Sequence, residues 1–516
     1  MPRPIQATAL NTTLLVLVSC LLCFGPAPLS RAADRPNIVI FLVDDMGVMD
    51  TSVPFLTDDD GKAKRYPLND YYKTPGMETL AARGVRFNNF CAMSVCSPTR
   101  TSILTGQNAT RHAVTQWIRS ENNNRGNFGP PAWNWTGFQN ADATLPGVLK
   151  TRGYRTIFVG KAHFGPLGEP SEWPTNLGFD VNIAGCSWGQ PGSYYGQDGY
   201  GHLKGNKKRA VPHLEKYHGT DTFLTDALTT EAKAQVSKAV EDDTPFFLEF
   251  APYAVHTPFQ SNPRFADDYK DSGKPKPAQA YATLIASMDR ALGQLLNHLE
   301  QQSVAENTLV FFLGDNGGDA PLGPTHGHAS SFPLRGKKGT HYEGGMRVPF
   351  IAAWAKPDPT HPWQQKLPIE QGAIQPQLGA VTDLYPTILA LVGAQPPSGH
   401  VVDGHDLAPQ FTGKPNPERD ERFLMHFPHG HRSSYFTSLR AGDWKVVYHY
   451  EPKTPDRPKY ELYNLKDDPF EKNDLSQKEP NKLKRMMKAM IGQLEEEGAL
   501  YPVGQDGEEL RPRLPG

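Results

Sequence analysis

The chain is 516 residues long, enough for about three domains at roughly 150 residues each. Lys and Arg number 53 against 55 Asp and Glu, a formal net charge of −2 that argues against a nucleic-acid-binding protein, which needs a basic face. Apolar residues at 38% and charged residues at 21% describe a folded rather than a disordered chain, and 47 Gly with 47 Pro predict many loops.

Arg3 precedes an apolar run over 14–24, too short to span a bilayer and suited to the core of a signal peptide. Ser30 and Ala32 fit the small-residue positions of cleavage after Ala32. Residues 1–32 are therefore expected to be removed on export, giving a secreted or periplasmic protein. The alternative is lipid anchoring at Cys20, because Leu17-Val18-Ser19-Cys20 resembles a lipobox. No later segment approaches the about 18 uninterrupted apolar residues of a membrane span. Cleavage leaves Cys91, Cys96 and Cys186, which is not a disulfide framework; one disulfide with a free thiol, or three free thiols, are the alternatives.

Apolar runs rich in β-branched and aromatic residues predict buried strands over 37–43, 155–159, 244–250 and 308–313. Helices are predicted over 74–82 and 383–392, each with Pro near its start. A third is predicted over 280–300, where Tyr281, Leu284, Ile285, Met288, Leu292, Leu295, Leu296 and Leu299 recur at helical spacing. Strands alternating with amphipathic helices predict an α/β fold, a large and mainly parallel sheet sandwiched by helices. Segment 413–420 reads as a polar linker. Beyond it, 434–440 and 443–450 alternate like antiparallel strands about an Ala441-Gly442 turn. A further strand over 460–465 and an amphipathic helix over 481–497, capped by Asn481, complete the chain. The expected organisation is a leader over 1–32, a large α/β domain over 33–416, and a small α+β C-terminal domain over 417–516 with an antiparallel sheet and a helix.

Four polar motifs each follow one of the four buried strands: Asp44-Asp45, Gly160-Lys161-Ala162-His163, Tyr253-Ala254-Val255-His256 and Gly314-Asp315-Asn316-Gly317. Ligands of open α/β sheets bind beyond the carboxyl ends of the strands, so these motifs predict one crevice. Asp44, Asp45, Asp315 and Asn316 bring three carboxylates and an amide oxygen together. Such carboxylates repel unless a cation compensates them, and hard oxygen donors point to calcium or magnesium rather than zinc. Either pair alone is explained as a cap or a turn; jointly they favour a metal.

Cys96-Ser97-Pro98-Thr99-Arg100 places Cys96 near a helix N-terminus, since Pro98 suits a first turn, with Arg100 one turn further on. The residues alone leave two readings: a reactive thiolate at an anion-binding end, or a small buried cysteine before a helix. Trp117, Trp133, Trp135 and Trp188 serve either as sugar platforms or as core. His426, His429 and His431 either line a substrate rim or are structural. Asn108 and Asn134 fit the glycosylation acceptor pattern, and Cys91 reads as a packed small side chain.

Cys96-Ser97-Pro98-Thr99-Arg100 followed by Leu104-Thr105-Gly106 resembles the type I sulfatase signature, Cys-x-Pro-x-Arg with a downstream Leu-Thr-Gly. Arg35-Pro36-Asn37-Ile38-Val39 before Asp44-Asp45, the segments Gly160–His163 and Gly314–Gly317, His256-Thr257-Pro258, and Lys338-Gly339-Thr340-His341-Tyr342-Glu343-Gly344-Gly345 resemble further motifs of that family in its order. The resemblance runs from about residue 35 to 413 and loosely beyond.

It implies an arylsulfatase-like sulfuric ester hydrolase on an alkaline-phosphatase-like fold. It implies one calcium ion bound by Asp44, Asp45, Asp315, Asn316 and position 96. It also implies that a formylglycine-generating maturation enzyme oxidises Cys96, whose hydrated aldehyde is the nucleophile. Arg100, Lys161 and His163 match positions that hold and deprotonate the hydrate; His256 and Lys338 match those that contact the sulfate and the leaving oxygen. The physical logic agrees, because the negative charge of a sulfate ester repels an oxygen nucleophile unless cations offset it. An alkoxide leaving group needs a general acid, for which His256 is the candidate, and His163 accepts a proton when sulfate is expelled.

The expected substrate is a sulfated small molecule or saccharide. Gln107 stands where the family often has Arg, a departure expected to affect maturation or packing rather than chemistry. Two rivals are a phosphate ester hydrolase of the same superfamily, against which Cys96 counts, and a catalytically silent carbohydrate-binding relative, against which the complete motif set counts.

Overall fold

The computed structural model describes residues 1–2, 35–322, 330–451 and 458–516. The leader expected over 1–32, Cys20 included, lies outside them apart from its first two residues. Among the described residues no helix is long and apolar enough to cross a membrane.

The run expected over 37–43 is strand β1 (Asn37–Val43), buried throughout. It is followed by β2 (Gly84–Phe87), β3 (Phe90–Cys91), β4 (Arg155–Gly160), β5 (Val181–Ile183), β6 (Phe246–Ala251), β7 (Thr308–Gly314), β8 (Phe350–Trp354), β9 (Ala373–Gln375) and β10 (Gly379–Ala380). Eight of these form one sheet in the order β5-β4-β6-β1-β7-β8-β2-β9. β1 is parallel to both its neighbours, and β4 is parallel to β5 and β6. β8 runs antiparallel to β7 and β2, so the sheet is mixed but mostly parallel.

Alternate residues of β1 feed two cores, which is why the strand reads as one continuous apolar run. Val39, Phe41 and Val43 pack with Leu284, Met288 and Leu292 of helix Lys276–Gln301 and Met77 and Leu80 of helix Pro75–Arg83. Ile38, Ile40 and Leu42 pack with Ile103 and Leu104 of helix Cys96–Thr105 and Ile388 of helix Leu384–Val392.

The C-terminal part carries a second, antiparallel sheet, β11 (Arg422–Phe427), β12 (Phe436–Ala441), β13 (Trp444–His449) and β14 (Tyr460–Asn464). Helix Pro480–Glu496 covers one face with Leu483, Met487, Met490 and Leu494 against Leu424, Leu439, Val446 and Leu462. β11 lacks a readable alternation because both its faces are buried: Phe423, Met425 and Phe427 pack with Met93 and Val95, while Leu424 faces the helix. Asn481 does not cap that helix. Glu479 holds the cap position and Pro480 opens the first turn, where a missing N–H costs nothing.

Cys91, Cys96 and Cys186 are all free and buried, which settles the disulfide alternatives. Asn108 is no open glycosylation acceptor, since its buried side-chain amide donates to the Leu424 carbonyl at 2.9 Å.

Candidate active site

β4, β6, β1 and β7 lie side by side and end at one edge of the sheet. Val43 pairs with Gly314, so Asp44-Asp45 and Asp315-Asn316 leave adjacent strands at the same level. Gly160 pairs with Ala251, bringing Lys161 and the segment before His256 to that edge as well. Backbone bonds tie the strand ends together: the Asp315 N–H donates to the Val43 carbonyl at 3.0 Å, Val255 to Asp44 at 2.8 Å and Lys161 to Ala251 at 2.7 Å. Asp45 and His163 have φ of 60° and 54°, a left-handed conformation that side chains rarely adopt and that clusters at functional sites. Cys96 reaches the crevice by opening helix Cys96–Thr105 after the extended Val95.

The residues singled out by sequence converge here. Lys161 Nζ donates to Asp44 Oδ2 at 2.7 Å. Lys338 Nζ donates to Asp45 Oδ1 and lies 3.7 Å from Cys96 Sγ. Arg100 donates to Asp315 Oδ2 from Nε at 3.0 Å and from Nη2 at 2.8 Å, and its Nη1 donates to the Lys161 carbonyl at 2.6 Å. His256 Nε2 is 3.5 Å from Asp45 Oδ2, and Asn316 Nδ2 donates to Asp45 Oδ1 at 2.9 Å. Arg100, Lys161 and Lys338 thus carry part of the charge compensation that three adjacent carboxylates require.

Two oxygens remain over. Among the described residues Asp44 Oδ1 and Asn316 Oδ1 are buried without a hydrogen-bond partner, Arg100 Nη2 coming no nearer to the former than 3.9 Å. Asp44, Asp45 and Cys96 each offer a ligand atom within 4.8 Å of the others. Buried oxygens without donors, in a set dominated by carboxylates, suit a hard divalent cation.

Burial raises the Asp44 carboxyl against the pull of Lys161. Burial, reinforced by Asp44 and opposed by Arg100, raises Asp315 to about 6. Asp45 goes the other way: burial works against its charge, but Lys338 and His256 hold it well below the usual carboxylate range. Burial also raises the Cys96 thiol despite Lys161 and Lys338. Burial thus works against a thiolate at the unmodified side chain. Burial and Lys161 hold His163 far below its ordinary value, and burial lowers His256 to about 3 against the pull of Asp45.

The crevice opens into a cavity of about 580 Å³ whose floor includes Cys96, His163, His256 and Lys338. Trp117 and Trp188 form part of its wall. Trp133 is buried against Val114 and Ile118, with Trp135 packed beside it, so only two of the four tryptophans reach the cavity. His431 also lines it, whereas His426 is bonded to Thr437 and the Leu500 carbonyl and His429 to Thr115. No motif pointed to Arg119, Lys208, Arg209 and Arg432, which line the cavity from irregular segments and a 3-10 turn.

The family model described as Sulfatase matches residues 36–394. The chain belongs to the sulfatase family. A second model, the C-terminal part of N-sulphoglucosamine sulphohydrolase, matches residues 337–497. The chain is 31% identical over 418 residues to an N-acetylgalactosamine-6-sulfatase of Mus musculus, covering 78% of this chain and 70% of the relative. It is 29% identical over 512 residues to a sulfatase of Formosa agariphila, covering 87% and 86%. Among solved structures it resembles Ps i-CgsB, with a TM-score of 0.69 at 26% identity over 89% of this chain and 93% of that one. The complex of Ps i-CgsB with k-i-k-neocarrahexaose superposes with a TM-score of 0.68 at 27% identity over the same shares. The protein is a sulfuric ester hydrolase on an alkaline-phosphatase-like fold.

The departure at Gln107 lies outside the sulfatase cavity; its side-chain amide donates to the Val401 carbonyl at 3.0 Å.

Proposed function

We propose that this sulfatase removes sulfate from a sulfated carbohydrate through a formylglycine made from Cys96, with a calcium ion held by Asp44, Asp45, Asp315, Asn316 and position 96. The observation that carries the reading is the place of Cys96, whose Sγ shares a cluster within 4.8 Å with carboxylate oxygens of Asp44 and Asp45. The hydrated aldehyde supplies an oxygen nucleophile that the protonated thiol does not. The cation, when bound, supplies charge that offsets the anionic ester and the attacking oxygen. A saccharide substrate is supported by the relative named N-acetylgalactosamine-6-sulfatase and by the k-i-k-neocarrahexaose bound to a structural neighbour.

The chain's own residues divide the remaining work. Lys338 keeps its charge, because Asp45 with Cys96, Asp44 and Asp319 together outweigh burial, and holds the sulfate and the leaving oxygen. Arg100 and Lys161 fix Asp315 and Asp44. His163 donates Nε2–H to the Ile118 carbonyl at 2.6 Å, which leaves the buried, unpartnered Nδ1 as a lone pair able to take a proton from the nucleophile's second hydroxyl. His256 donates Nδ1–H to the Thr257 carbonyl at 3.0 Å and presents Nε2 to the cavity. A bound sulfate ester brings negative charge against that imidazole, raises its pKa and lets it act as the acid for the leaving oxygen.

Residues 33–416 form the catalytic domain and 417–516 a C-terminal domain that adds His431 and Arg432 to the cavity. Residues 1–32 direct export, and a maturation enzyme acts on Cys96. Turnover of para-nitrophenyl sulfate against para-nitrophenyl phosphate tests the reading. Sulfate is expected to be strongly preferred, and preference for phosphate would replace this function with that of the related phosphatases.

A further inference from the structure

The mouth of the cavity carries positive charge that the protein leaves unpaired. Arg119, Lys208 and Arg209 line it with one exposed carboxylate, Glu121, and among the described residues none of the three cations has an ion-pair partner. Arg432 nearby is different: it bonds both carboxylate oxygens of Asp319 at 2.9 and 2.7 Å, and Lys337 shares that carboxylate at 3.3 Å. Lys338 on the floor is bound to Asp45.

The floor and the mouth of the cavity also differ in depth. Cys96, His163 and Lys338 are buried, whereas Arg119 and Lys208 are exposed and Arg209 is half-buried. Lys208 and Arg209 end a run in which Lys204 and Lys207 add two more cations and no acid intervenes. The run is held in place, because the Gly192 N–H donates to the Arg209 carbonyl at 2.7 Å and the Arg209 N–H to the Asn206 carbonyl at 2.9 Å. That bond places it beside the Trp188-Gly189-Gln190 wall. Arg119 approaches from the opposite stretch of sequence and lies over the Trp117 ring at 5.6 Å. Fixed like charges repel one another and gain only when an external anion joins them.

We propose that Arg119, Lys208 and Arg209 form a subsite for a second anionic group, sulfate or carboxylate, on a saccharide whose scissile sulfate occupies the floor. The inference rests on the reading of Cys96 and Lys338 as that floor. The preferred substrate is then a polyanionic oligosaccharide rather than an isolated monosulfated sugar. Guanidinium forks match planar and tetrahedral oxyanions, Trp117 and Trp188 line the same cavity, and a second contact raises affinity without new chemistry.

The test is calorimetric binding to the full chain carrying Cys96→Ala, which requires no turnover. The probes are sulfated dextran, carboxymethyl dextran and uncharged dextran oligosaccharides. Sulfated dextran is expected to bind, and to bind about tenfold more weakly once Arg119→Ala, Lys208→Ala and Arg209→Ala are added. Its salt dependence becomes shallower in the same variant. Binding of the carboxymethyl chain that weakens in the same variant assigns the subsite to either anion. Unchanged affinity after the three substitutions, or tight binding of uncharged dextran, overturns the proposal.

With Cys96 intact and converted, the triple variant should keep kcat and KM for para-nitrophenyl sulfate, which also reports its folding. A raised KM there would mean that these cations serve the scissile sulfate, again overturning the proposal. Absence of that turnover in the converted parent protein strikes the catalytic reading instead and leaves the binding result to stand on its own.

Discussion

Arg100 clamps Asp315 with two hydrogen bonds to one carboxylate oxygen, and both side chains are wholly buried. The oxygen on the other side, Oδ1, accepts the Asp45 N–H at 3.0 Å. Asp315 therefore positions two neighbours besides serving as a proposed ligand.

That geometry changes what a substitution at Asp315 should do. Asp315→Ala leaves a buried guanidinium without its counter-charge, at a cost of about 3–5 kcal/mol. Asp315→Asn keeps the shape and one acceptor oxygen. Both variants are expected to lose activity and bound metal, while calorimetry finds a large fall in Tm for the alanine variant and a smaller one for the asparagine variant. Full activity in either would remove Asp315 from the site.

Calcium should both activate and stabilise. Among the described residues Asp44 Oδ1 and Asn316 Oδ1 have no donor, so a cation that binds only the folded protein adds about 2.7 kcal/mol at a hundredfold excess over Kd. Chelator-treated protein is expected to lose turnover and to regain both turnover and Tm when calcium is restored. Undiminished activity of the stripped protein would count against the metal.

His256→Ala separates proton donation from sulfate binding. An alkyl or sugar sulfate has a poor leaving group, so kcat should fall by about 10²- to 10⁴-fold. An activated aryl sulfate needs little protonation and should lose far less. Equal losses on both substrates would make His256 a sulfate contact and no acid.

Glu249 provides a pH test away from the chemistry. It sits in β6, fully buried with neither carboxylate oxygen hydrogen-bonded, and burial raises it to about 8 against the pull of Arg100. The folded protein holds a proton there that the unfolded chain gives up near its ordinary value of 4.5. Between those two pH values the native state binds more protons, so this group makes stability fall as pH rises. Glu249→Gln should flatten that slope and raise Tm at pH near 8. A variant with the parent's pH slope would show that Glu249 is ionised in the fold.

The central site was legible because its strands are continuous apolar runs that end abruptly in charged residues, as at Val43 before Asp44 and Gly314 before Asp315. Buried parallel strands leave that pattern, and their ends define the crevice. Short strands such as β5 and β9 leave no periodicity to read. The antiparallel β8 is as apolar as its parallel neighbours, so direction was invisible. Arg119, Arg209 and Arg432 escaped notice because irregular segments and a single 3-10 turn carry no spacing rule, and only the folded chain brings them to one cavity. His426 and His429 look like His431 in sequence, yet their bonds to Thr437 and Thr115 turn them inward.

Cys96 carries the whole account, and peptide mass spectrometry across residues 96–100, set against specific activity, tests it most directly. Formylglycine at position 96 is expected in proportion to activity across preparations from hosts with and without a maturation enzyme, and thiol alkylation should leave the active fraction untouched. A preparation at full specific activity that contains only unmodified Cys96 would contradict the formylglycine mechanism and return the thiol to the role of nucleophile.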